Sequence, residues 1–105
     1  MEFDKFSEIR EKYCITHVEV TEGKMMSSPA MHYKKKVFAF FSKSHTMVFK
    51  LGKDFPMDTL DITLLEFSPF KTKKPLGGWY EASFEDHGQW ETLTELALHH
   101  IQQDV

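Results

Sequence analysis

Cysteine and arginine each occur once, as Cys14 and Arg10. A single cysteine excludes an internal disulfide and any zinc site built from cysteines. It favours a reduced, cytoplasmic compartment. A single arginine, set among the acids of the first 22 residues, provides poorly for bidentate guanine readout. No apolar run approaches the ~18 residues of a membrane span. The opening residues Met1, Glu2, Phe3, Asp4 and Lys5 are acidic and lack the apolar core of a signal peptide. A cytoplasmic protein with no membrane partner is the expectation.

Catalytic and metal-binding patterns are missing too. The six histidines include no His-x-His and no His-Glu-x-x-His. His17, His32, His45 and His87 are scattered, and His99 and His100 would point about 100° apart on a helix. Cys14 has no base signature beside it and reads as a small buried hydrophobe. Glu81 and Glu66 fall on two expected strands, where a solvated strand face is the commoner arrangement than a carboxylate pair. The chain is therefore expected to be non-enzymatic, with no cofactor and no metal.

What the chain does have is one domain's worth of material. Its 105 residues and 12.4 kDa fit a single domain over 1–105. Only 41% of residues are apolar, but ten are phenylalanine. Each buried ring removes about 150–250 Å² from water, which supplies a core.

Charge is segregated. The net charge of −3 conceals a stretch, 23–53, holding Lys24, Lys34, Lys35, Lys36, Lys43, Lys50 and Lys53 without an acid. A second acid-free stretch, 67–80, holds Lys71, Lys73 and Lys74. Residues 81–105 hold six acids and no lysine or arginine. Such polarity steers anionic partners even when net charge is negative. Lysine is also the usual device for keeping turns and strand edges soluble. Against that reading stands the absence of mixed signs, which a solvated surface normally shows.

Periodicity gives the elements. Phe3, Phe6, Ile9 and Tyr13 predict a helix over 2–13. Ile15, Val18 and Val20 read as β-rich, with one bent extra strand near 18–33 broken by Gly23 and Ser27-Ser28-Pro29. Residues 36–41 predict a strand with Phe38 and Phe40 on one face and Val37, Ala39 and Phe41 on the other. Residues 46–51 form the next strand. A short helix over 54–61, a strand over 64–67, a loop over 71–78 and a strand over 79–84 follow. Asp86 and Gln89 resemble a capping box for a helix over 88–102, whose stripe begins at Trp90. The order α-β-β-β-α-β-β-α predicts an α+β two-layer sandwich, with an antiparallel sheet of about five strands packed by helices. Phe38, Phe40, Phe49 and Phe67 are the natural core. Val37, Phe41, Val48, Tyr80 and Phe84 are left for the opposite face, where a dimer contact would cover them.

The run Gly23-Lys24-Met25-Met26-Ser27-Ser28-Pro29-Ala30-Met31, then Lys36-Val37-Phe38-Ala39-Phe40 and Val48-Phe49-Lys50-Leu51, resembles the TfoX N-terminal-domain family and its MmcQ/YjbR-like relatives. Ser68-Pro69-Phe70 and Lys74-Pro75-Leu76-Gly77-Gly78-Trp79 fit the same pattern. Ser27-Ser28 departs from it, standing where the family often has Phe-Gly. The resemblance implies a fold shared with secretion-chaperone-like domains and a regulatory role. It carries no catalytic residue set. Two functions follow as expectations. One is a regulatory domain whose lysine-rich hairpin face, Lys34, Lys35, Lys36 and Lys43 with Lys71, Lys73 and Lys74, meets nucleic acid or an acidic protein. The other is a homodimeric interaction module without nucleic-acid binding.

Overall fold

The structure is a computed structural model and describes residues 2–25, 28–52, 55, 64–66 and 78–104. The first helix, α1, spans Glu2–Thr16. Its three/four-spaced Phe6, Ile9 and Tyr13 are buried, and Glu2 and Asp4 in its first turn complement the helix dipole. Among the described residues six strands follow: β1 (Val20–Met25), β2 (Ser28–Tyr33), β3 (Lys36–Phe41), β4 (Met47–Lys50), β5 (Leu65–Glu66) and β6 (Trp79–Ala82). A 3-10 helix over Phe84–Gln89 leads into α2, Trp90–Asp104.

The strands form one antiparallel sheet in the order β1-β2-β3-β4-β6-β5. The α+β class and the two terminal helices are as the sequence predicts. Several details differ. Residues 18–33 hold a two-stranded hairpin instead of one bent strand, with Val20 opposite Tyr33 and Met25 opposite Ser28. Ile15 belongs to α1 and Val18 to the turn after it, and they are 75% and 93% exposed. The last strand ends at Ala82, and Asp86 lies inside the 3-10 helix that replaces the expected capping box. The expected helix over 54–61, all but Phe55, and the loop over 71–77 lie outside the described residues.

A β-bulge decides which way the central strand faces. The register of β2 against β3 shifts between Met31 and His32, so Phe38 and Ala39 together oppose Met31. Both of them then join the helix-side core, with Phe41, while Val37 and Phe40 turn to the other face. Strict alternation would have put Phe38 with Phe40.

Both helices pack on one face of the sheet. Phe6, Ile9 and Tyr13 of α1 and Trp90, Leu93, Ala97, Leu98 and Ile101 of α2 share one cluster with Met31, Phe38, Met47, Phe49 and Tyr80. Each large apolar side chain fully buried there contributes about 1.5–3 kcal/mol. Trp90 is wholly buried, and its Nε1 donates to the Ser83 carbonyl at 3.1 Å, so the polar edge of the ring costs nothing. The buried Thr94 hydroxyl is likewise satisfied, donating to the Trp90 carbonyl at 2.7 Å.

Three positions on the face away from the helices are buried as well. Ala30, Phe40 and Val48 form a second buried cluster, flanked by Met25, Val37 and Trp79. The leftover apolar surface expected there is absent at these positions. Phe41 and Tyr80 lie on the helix side, Phe84 is partly buried against the main core, and Val48 is 0% exposed. A dimer through a bare apolar sheet face therefore loses its basis. On the same face the His32 ring lies flat across Gly23, where a Cβ would come within 2.2 Å of it.

Candidate functional site

The lysine run forms the tip of the β2–β3 hairpin. Tyr33 pairs with Lys36, leaving Lys34 and Lys35 as a two-residue loop. Their φ angles are 49° and 73°. Two consecutive positive φ values mark a type I′ turn, whose twist suits a hairpin and whose usual residues are Asn-Gly. For lysine the left-handed region costs about 1–2 kcal/mol per residue. The hairpin thus holds two cations at its point in a conformation their side chains disfavour.

Glu19 anchors that tip. The Lys34 N–H donates to the Glu19 carbonyl at 3.2 Å, and the Lys34 ammonium lies 3.7 Å from the Glu19 carboxylate. Lys34 Nζ also sits 5.7 Å from the centre of the Tyr33 ring. The nearby Glu19 carboxylate, chiefly as a hydrogen-bond acceptor, raises the Tyr33 pKa above its ordinary value. Lys35 and Lys36 are exposed, and among the described residues neither has an ion-pair partner.

Lys43 does not join them. It lies in the β3–β4 turn, at the other end of β3 from Lys36. Six residues of strand at about 3.3 Å each separate the two ends by roughly 20 Å. Consecutive turns of a meander alternate ends, so the expectation that Lys34, Lys35, Lys36 and Lys43 sit at adjacent hairpin ends is corrected. Lys71, Lys73 and Lys74 lie outside the described residues.

The turn that holds Lys43 is a polar knot. His45 N–H donates to the Ser42 carbonyl at 3.1 Å, and His45 takes φ 64° before the strand resumes. The buried Ser42 hydroxyl accepts from the N–H groups of Ser44 and Thr46 at 3.2 and 3.1 Å. It also shares a 2.7 Å bond with the Thr46 hydroxyl, which donates to Glu81 at 2.9 Å. Glu81 therefore closes a turn. Its register partner on β5 is Leu65, while Glu66 pairs with Tyr80, so Glu81 and Glu66 are not cross-strand partners.

The sequence reading missed Glu19 because the pairing of Val20 with Tyr33 was not visible in a segment read as one bent strand. It also missed that Lys50, 6.0 Å from the Trp79 ring centre, stands at the same end of the sheet as the lysine tip. The reversal of direction between the two consecutive strands carried that signal, because it returns the end of the second strand to the start of the first.

Elsewhere, Cys14 is half-buried, and burial first, then Glu22, raises its thiol pKa against the opposing pull of Arg10. Among the described residues no three histidine, cysteine or acidic side chains are grouped to hold a metal. No described helix is long and apolar enough to cross a membrane. No family model matches the chain, and neither a curated protein nor a solved structure is significantly similar to it.

Proposed function

We propose that this is a small non-catalytic, cytoplasmic regulatory domain that contacts the phosphate backbone of nucleic acid through the tip of its β2–β3 hairpin. The observation that carries this reading is the pair of left-handed lysines, Lys34 and Lys35, at the point of the turn. Backbone strain held at an exposed, charged position is a pointer to function, since Asn-Gly would make the same turn at lower cost. Lys36 beside them is exposed and adds a third cation. A protruding lysine supplies the mobile positive charge that phosphate contacts use.

The tip is not equipped to read bases. The one arginine, Arg10, is engaged by Glu22 at 3.4 Å and lies over the Phe6 ring. Binding is therefore backbone-directed and weakly sequence-specific. The resemblance to TfoX N-terminal domains agrees with a regulatory role.

The test is a titration of a labelled DNA duplex at low salt with the wild-type chain and with Lys35→Glu/Lys36→Glu. Binding that is lost in the variant, with an unchanged circular-dichroism spectrum, supports the reading. Absence of binding by the wild type, or equal binding by both, overturns it.

A further inference from the structure

Among the described residues β1 pairs with β2 alone, so its outer side is a sheet edge. The direction of its backbone groups follows from two hydrogen bonds. Lys34 N–H donates to the Glu19 carbonyl, which makes Glu19 and Lys34 a bonded pair of the ladder. Val20 N–H instead donates away from β2, to the His17 carbonyl at 3.0 Å. Bonded and non-bonded pairs alternate along an antiparallel ladder. Thr21/His32 and Gly23/Ala30 are thus the pairs bonded to β2. Glu22 and Lys24 turn their N–H and C=O groups outward.

Those two residues carry opposite charges, are both exposed, and flank a glycine. Glu22 keeps a side-chain exposure of 61% while touching Arg10, and Lys24 has no ion-pair partner among the described residues.

We infer that β1 is a self-complementary edge, which pairs antiparallel with β1 of a second copy about a two-fold axis at Gly23. In that register Glu22 faces Lys24 of the second copy, and Lys24 faces its Glu22. The outward backbone groups then meet each other, giving four main-chain hydrogen bonds. Gly23 meets its own copy as a non-bonded pair, the closest approach in a ladder at about 4.5 Å between Cα atoms. Gly23 brings no side chain of its own, and the His32 ring that fills its Cβ position lies over the face of the sheet and not at its edge.

Neighbouring registers fail. An axis at Glu22 or at Lys24 sets like charges opposite each other, which is destabilising. An axis between residues opposes an outward group to an inward one and forms no ladder. An axis at Thr21 calls on the Val20 N–H, which His17 already occupies. The interface is isologous, as a closed two-fold dimer requires. It is independent of the anion contact and uses no residue of the lysine tip.

Sedimentation equilibrium tests it at chain concentrations up to about 1 mM, which populates even weak dimers. The wild type is expected to approach twice its 12.4 kDa mass. Glu22→Lys should be monomeric, because it puts lysine opposite lysine. Glu22→Lys/Lys24→Glu should dimerise again, because it restores opposite charges in this register, whereas an in-register parallel pair would set like charges side by side. Lys24→Pro removes only an outward N–H, which an edge strand tolerates, and should also be monomeric. It decides the matter if Glu22→Lys fails to fold. A wild type that stays monomeric at the highest concentration overturns the inference. So does dimerisation that survives Lys24→Pro, or a folded double variant that remains monomeric.

Discussion

The backbone N–H of Lys34 lies 3.2 Å from the carbonyl oxygen of Glu19 and donates to it. The carboxylate of the same glutamate lies 3.7 Å from the Lys34 ammonium and raises the Tyr33 pKa. One residue at the mouth of β1 therefore holds both the main chain and the side chain of Lys34. It also competes with any anion for Lys34.

Glu19→Gln should release Lys34 and strengthen anion binding, adding about one phosphate contact, or −0.9, to the slope of log affinity against log salt. The Tyr33 pKa should fall back toward its ordinary value, which an ultraviolet phenol titration reads. A weaker-binding variant would show that Glu19 positions Lys34 without masking it.

Replacing Lys34 and Lys35 by Asn and Gly should relieve the turn. The gain in unfolding free energy is expected at about 1 kcal/mol or more, because both new residues accept the left-handed conformation. Duplex affinity should fall at the same time. Urea denaturation and the binding titration measure the two effects on one preparation, and a loss of stability contradicts the strain argument.

Much of this architecture was legible in the sequence where a period was clear. The stripe of Phe6, Ile9 and Tyr13 and the stripe from Trp90 to Ile101 located both helices on their buried faces. The bulge at Phe38 was not legible, because it is a fact about how β3 meets Met31 of a different strand. The β1–β2 hairpin was hidden because β1 is an edge strand, whose alternation of Thr21, Glu22, Gly23 and Lys24 carries little apolar signal. Ile15 and Val18 misled in the other direction: they are apolar, yet neither is buried. Of the candidate site, Lys34 and Lys35 were placed correctly in a turn. Their grouping with Lys43 failed because six residues of strand intervene.

Trp90→Ala should cost about 3–5 kcal/mol, since the ring is fully buried and loses both its packing and its bond to Ser83. That is a large share of the ~5–15 kcal/mol that stabilises a domain. A denaturation midpoint that does not move would remove Trp90 from the core.

Tyr13 links the helices, donating at 2.6 Å to the Glu95 carboxylate. Burial first, then that bond and the nearby charges of Glu95 and Glu91, raise its pKa well above the ordinary value of 10. The folded state thus holds a proton that the unfolded chain releases. Its contribution is intact below pH 10 and is lost as pH rises toward the folded pKa. Denaturant unfolding from neutral pH to about 11 should show a steeper alkaline loss for the wild type than for Tyr13→Phe, which has no phenol to titrate. Equal slopes would assign the alkaline loss to other groups.

The salt dependence of duplex binding decides whether the β2–β3 tip contacts phosphate. Three lysines at the β2–β3 tip, each neutralising one phosphate, give a slope of log affinity against log salt near −2.7 by the counterion-release rule, and near −1.8 if Glu19 retains Lys34. Replacement of Lys34, Lys35 and Lys36 by glutamate should abolish binding and leave the fold intact. A wild-type chain that binds no duplex at low salt, or binding whose slope is unchanged by the triple replacement, would contradict the account.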